Sequence, residues 1–136
     1  MKTISKIFTV IMLFLALFLT SCSKDDDNPA TPTTPQRTLN GTWGGTSDHG
    51  AIISLTLVQD GSAVTGSGHI QIPSIDVNAA CNVQGGTCDG SNVSLTLTSQ
   101  ILYDISYQGQ FSADNVHKGM LNGSGVTDDK ITFVKQ

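Results

Sequence analysis

Hydrophobic and polar positions follow two rhythms along this chain. Residues 7–19 form an apolar run broken only by Thr9. At about 13 residues it is short of the roughly 18 needed to span a bilayer as a helix. From residue 38 onward the apolar side chains recur at every second position, in short stretches separated by turn residues. That period predicts strands with one buried face, and no segment shows a helical period.

The clearest hairpin joins residues 51–59 and 62–72 through Asp60-Gly61, a pair suited to a two-residue turn with positive φ. In that register Leu57 faces Val64, Leu55 faces Gly66 and Ile53 faces Gly68, so large side chains lie over small ones on one face. Ser54, Thr56, Thr65, Ser67 and His69 fall on the other face and are expected in water. The same alternation marks 42–46, 75–83, 92–99, 103–111, 117–123 and 130–134. In the fifth of these eight strands Val93, Leu95 and Leu97 point inward; in the sixth Tyr103, Ile105, Tyr107, Gly109 and Phe111 do. Eight short strands in meander order predict an all-β domain, a small antiparallel up-and-down barrel whose closure removes sheet edges. The polar outward positions exclude a membrane-spanning barrel, which needs an apolar outer band.

The amino-terminal run reads as an export signal. Lys2 and Lys6 precede it, and Thr20 and Ser21 lead to Cys22, the layout of a secretory signal peptide. Leu19-Thr20-Ser21-Cys22 resembles the bacterial lipobox, which implies cleavage before Cys22 and lipidation of its thiol. Ser23, Lys24, Asp25, Asp26 and Asp27 resemble the signal that exports lipoproteins of Bacteroidota to the outer face of the outer membrane. The three carboxylates would also be repelled by an anionic lipid surface. Stable anchoring takes more than one acyl chain, a condition that lipoprotein modification meets. Pro29, Pro32 and Pro35 then favour an extended spacer. The expected organisation is a signal peptide at 1–21, a lipidated, acidic and proline-rich tether at 22–37, and a barrel domain at 38–136.

Charge narrows the partners. The domain carries three lysines, eight aspartates, no arginine and no glutamate, a net charge of −5. Nucleic-acid binding depends on phosphate neutralisation by Lys and Arg, so that class is excluded. The expected partners are the membrane, through the anchor, and a small ligand or a protein.

Leu39-Asn40-Gly41-Thr42-Trp43 is similar to the Gly-x-Trp opening of lipocalins and the Gly-Thr-Trp opening of avidins, and the meander fits calycin-type barrels. The resemblance implies that Trp43 packs across the closed end and that ligands enter at the open one. Lipocalins stack a basic residue near the last strand on this Trp; here Lys130 and Lys135 are the candidates. Avidins line their biotin site with several tryptophans. This chain has one, so biotin binding is not implied.

Candidate chemistry is sparse. Cys81 and Cys88 flank Asn82-Val83-Gln84-Gly85-Gly86-Thr87, and in an exported protein such a pair predicts a disulfide clipping a hairpin. A turn at Gln84-Gly85 would set them opposite one another, and one at Gly85-Gly86 would set them diagonally. The clip would contribute about 2.5 kcal/mol in the chain-entropy model. The spacing matches neither a redox CxxC nor a zinc motif. His49 and His69, with Asp48, are the nearest approach to a metal or acid–base site, while His117 has only Asp114 nearby in sequence. No nucleophile elbow or paired acid–base arrangement is present. The expectation is therefore no enzyme, no cofactor and no metal site. In its place stands an outer-membrane-anchored, surface-exposed lipoprotein presenting a lipocalin-like barrel that takes a small apolar or amphipathic ligand or a partner at its open end. The alternative is an interaction or inhibitor module with a filled barrel, acting through loops at 47–50, 81–89 and 113–116.

Overall fold

The structure is a computed structural model that describes residues 37–136. The expectations for the signal peptide, Cys22, the tag at 23–27 and the spacer fall outside the described residues. Eight strands follow in order: β1 (Gly41–Ser47), β2 (Ile52–Asp60), β3 (Ala63–Ile72), β4 (Val77–Asp89), β5 (Asn92–Ser99), β6 (Ile105–Ala113), β7 (Val116–Gly123) and β8 (Val126–Lys135). Each pairs antiparallel with its neighbour, and β1 pairs with β8 to close the barrel.

The alternation read from the sequence builds this wall. Ile53, Leu55 and Leu57 of β2 and Val93, Leu95 and Leu97 of β5 are buried, while Ser54, Thr56, Thr65, Ser67 and His69 are exposed. The interior is filled from within by Trp43, Tyr107, Phe133, His117 and a shell of Leu and Ile side chains. An eight-stranded barrel is narrow enough for side chains to fill it.

Three details differ from expectation. The first hairpin turns on Gly61-Ser62, with Asp60 paired to Ala63, so Leu57 faces Gly66, Leu55 faces Gly68 and Ile53 faces Ile70. Gly61 has φ +60 and Ser62 does not share the positive sign, which puts the glycine at the first turn position. The register slips by two residues, and a slip of two leaves every side chain on its own face. Second, the sixth strand begins at Ile105, and Tyr103 stands exposed in the preceding loop.

The third difference removes the disulfide. Residues 77–89 are one continuous strand, and Gly85-Gly86 makes a bulge in it rather than a turn. Gly85 takes φ +64 there, and the extra residue resets the inward–outward alternation so that Cys81 and Cys88 both point into the core. Seven residues of extended chain separate their Cα atoms by roughly 20 Å, against a limit of about 7 Å for bridging. Both thiols are free among the described residues. Burial raises the pKa of each, and Asp89 adds to the effect at Cys88 against a smaller opposing hydrogen bond from Gln59. They serve as small apolar core residues.

The glycines of β3 sit where β2 approaches closely. A Cβ on Gly68 would meet the Ser54 carbonyl oxygen and come within 2.9 Å of Leu55 Cδ2. Gly68→Ala is therefore expected to destabilise the domain by about 1–3 kcal/mol through overpacking, read as a lower urea midpoint. Ser67→Ala on the outer face should shift stability by no more than about 0.5 kcal/mol.

Candidate functional site

The meander gives the barrel two unlike ends. The chain enters at Arg37, beside the turns that follow β2, β4 and β6, and this end is sealed. Leu39 is buried across it, its N–H donating to Gln59 Oε1 (2.9 Å) and its carbonyl accepting from Trp43 Nε1 (2.7 Å). The Lys135 ammonium lies 5.6 Å from the Trp43 ring centroid, so Lys135, rather than Lys130, supplies the stacked cation. Arg37 lies 6.0 Å from the Phe111 centroid and pairs with Asp114 at 3.1 Å.

Behind this seal sits His117, a residue for which the sequence suggested no role. It is fully buried, with Trp43 (4.7 Å), Phe133 (4.9 Å), Tyr107 (5.3 Å) and Phe111 (5.7 Å) around it, centroid to centroid. The Tyr107 hydroxyl and His117 Nδ1 are hydrogen-bonded at 2.7 Å. Nε2 has no hydrogen-bond partner among the described residues. Burial lowers the His117 pKa to about 4 and raises that of Tyr107, so both are neutral near pH 7. The signal for this placement was the alternation His117, Gly119, Leu121, which assigns His117 to the inner face once Leu121 is taken as core.

The opposite end is open. Its rim comprises the loops after β1 and β5, the 3-10 turn at Pro73–Ile75 and the turn between β7 and β8. Ile75, Ile101 and Tyr103 stand exposed on this rim. A cavity of about 330 Å³ opens at the mouth, with His49, Ala51, Ile72, Ile75, Val126 and Asp129 in its lining.

Asp129 is the unusual group there. Between Leu121–Asp129 and Gly123–Val126 the register of β7 and β8 shifts, so Thr127 and Asp128 together face the single Asn122. Asp128 adopts φ +50 and its N–H donates to Asn122 Oδ1 at 2.9 Å. Such a bulge re-aims the following side chain, and Asp129 is buried. Its Oδ1 accepts from the His49 backbone N–H at 3.1 Å and is hydrogen-bonded to His49 Nδ1 at 2.8 Å. Oδ2 has no partner among the described residues. Burial alone would raise this carboxyl's pKa; the neighbouring Ser47 hydroxyl and the hydrogen bonds from His49 outweigh it and hold the pKa below the usual carboxylate value.

Of the residues singled out in the sequence, His49 belongs to this cluster, Asp48 lies in the same loop, and His69 is exposed on the outer wall of β3. They do not converge, and among the described residues no three His, Cys, Asp or Glu side chains could hold a metal ion. Of the three expected contact loops, 47–50 is on the open rim, 113–116 is at the sealed end, and 81–89 is strand. A larger concavity of about 600 Å³ crosses the outer wall of β5 to β7. Its polar lining is partly self-satisfied, Gln110 Nε2 donating to Asn92 Oδ1 at 2.9 Å. Among the described residues no buried unpaired atom belongs to its lining, whereas Asp129 lines the mouth, so the mouth is the better candidate site. Comparison with family models, curated proteins and solved structures gives no match. The class that fold and site define is a closed eight-stranded antiparallel β-barrel, filled inside, with one sealed end and one polar-floored mouth.

The buried imidazole makes stability depend on pH. In the unfolded chain His117 titrates near 6.5 and in the barrel at about 4, so between those values the unfolded chain binds more protons. Stability is full above pH 6.5 and falls by about 3 kcal/mol as pH drops to 4. Urea denaturation across that range should show the loss, and His117→Gln should flatten it.

Proposed function

We propose that this chain is an outer-membrane-anchored lipoprotein, exposed at the cell surface, whose calycin-like barrel offers its mouth to a small amphipathic ligand or a short segment of a partner. Support for the address comes from the lipobox-like run ending at Cys22 and the acidic residues after it. Arg37, where the described residues begin, lies at the sealed end, opposite the mouth. The reading of the barrel itself rests on one observation. Its interior is occupied by its own side chains, while Ile75 stands exposed in the lining of the 330 Å³ cavity and Ile101 and Tyr103 stand exposed in the β5–β6 loop at the same end of the barrel. Apolar side chains grouped round a concavity favour contact with another molecule. A filled interior favours recognition at the rim over capture in a deep pocket.

The barrel reading is tested with the neutral apolar probe Nile red. The triple variant Ile75→Ser, Ile101→Ser, Tyr103→Ser is expected to weaken probe binding at least about ten-fold. Unchanged binding would count against the mouth. The address is tested separately by metabolic labelling with an alkynyl fatty acid, which Cys22→Ser should abolish. Protease shaving of intact cells should remove the domain, and its protection would argue for a periplasmic face.

A further inference from the structure

We propose that the mouth is a binding site for an aliphatic primary ammonium, the head group donating to Asp129 Oδ2 and the chain lying against Ile72, Ile75 and Val126. This rests on the mouth being the binding surface and adds the chemistry of what it takes. Three observations carry it.

The first is the unpaired oxygen. Asp129 is 1% exposed, yet Oδ2 has no hydrogen-bond partner among the described residues. A buried carboxylate oxygen without a donor is unfavourable, and a cationic N–H donor would relieve it with a charge-assisted bond. The second is the number of oxygens still without a hydrogen bond. Oδ1 is engaged by the backbone and ring nitrogens of His49 and the Ser47 hydroxyl lies beside the carboxylate, which leaves Oδ2 as the one oxygen without a hydrogen bond among the described residues. A bidentate guanidinium needs two carboxylate oxygens, whereas an ammonium can donate to one. The third is the field around the mouth. Three of its four connections carry aspartate, Asp48, Asp76 and Asp104, and Asp128 and Asp129 lie in β8 close to the fourth. Arg37 and Lys135 lie at the sealed end; Lys130 follows Asp129 on the outer face of β8, and no lysine or arginine lines the cavity. A cleft lined by one sign of charge concentrates ligands of the other. Ile72, Ile75 and Val126 in the same lining suit the aliphatic part of such a molecule. Free amines and lysine side chains share this chemistry.

The test uses the full chain and isothermal titration calorimetry with n-hexylammonium chloride, n-hexanol and n-hexylguanidinium chloride. Saturable binding of hexylammonium is expected, at least about ten-fold tighter than either analogue, with Asp129→Asn removing about ten-fold of it. Asp128→Asn, on the neighbouring exposed carboxylate, should leave affinity within about two-fold. Should Asp129→Asn fail to fold, Val126→Phe decides: narrowing the cavity should weaken hexylammonium binding, and retained affinity would overturn the site. Hexanol binding as tightly as hexylammonium would overturn the ammonium assignment while leaving the mouth as a binding surface. Absence of binding by all three would remove both. An N-acetylated, C-amidated Leu-Lys-Leu peptide run alongside distinguishes the sources: tighter binding than hexylammonium assigns the site to a protein lysine, weaker binding to a free amine.

Discussion

The hydrogen bond between the Tyr107 hydroxyl and His117 Nδ1 sets the terms for the sealed half of the barrel. An imidazole buried among four aromatic rings is tolerable only if it stays neutral and at least one nitrogen is satisfied. Tyr107 meets the second condition, and its own burial keeps the hydroxyl protonated. To reach His117 the phenol must lie along the inner wall rather than across it, and the wall must be bare beneath it. Gly109 and Gly119 are paired directly opposite one another there. A Cβ on Gly109 would collide with the Tyr107 hydroxyl. Trp43, Phe111 and Phe133 then close around the imidazole, and Leu39 with Lys135 covers Trp43 from outside.

That packing leaves the two ends under different constraints. At the sealed end polar groups are matched: the indole N–H has the Leu39 carbonyl, and the Leu39 N–H has Gln59. At the open end a buried carboxylate is satisfied on one oxygen and orphaned on the other. Both ends are made of the same alternating strands, so the difference lies in a few residues. A glycine pair and a histidine build one end; a bulge at Asp128 builds the other.

The strand rhythm was legible because alternation is an average over several residues and survives local error. Placing the first turn on Asp60-Gly61 moved the pairing by two without exposing one core side chain. Single-residue events were less legible. Gly85-Gly86 reads equally as a turn or as a bulge, and only pairing with β3 and β5 on both flanks makes it a bulge. That one residue decides whether Cys81 and Cys88 meet. Asp129 went unrecognised for a related reason. Starting the last strand at Lys130 hid the inward series Asp129, Ile131, Phe133, and a charged residue is a poor advertisement for a core position. His49 and Asp129 are 80 residues apart in the chain, and only closure of β1 on β8 brings them together.

A filled barrel also restricts what recognition can look like. Calycin-type architecture suggests ligands held deep inside, but here the core residues occupy that volume. The mouth cavity is at the small end of the range for ligand sites, about 300–1,000 Å³. Apolar burial over so little surface supplies limited affinity, and it selects poorly among molecules of similar size. Discrimination at such a mouth must come from directional polar groups. His49 holds one carboxylate oxygen in place from a loop that the barrel wall positions, and the other is buried without a hydrogen bond among the described residues. If the mouth binds as proposed, the electrostatic arrangement at Asp129, more than the size of the opening, would set its chemical preference.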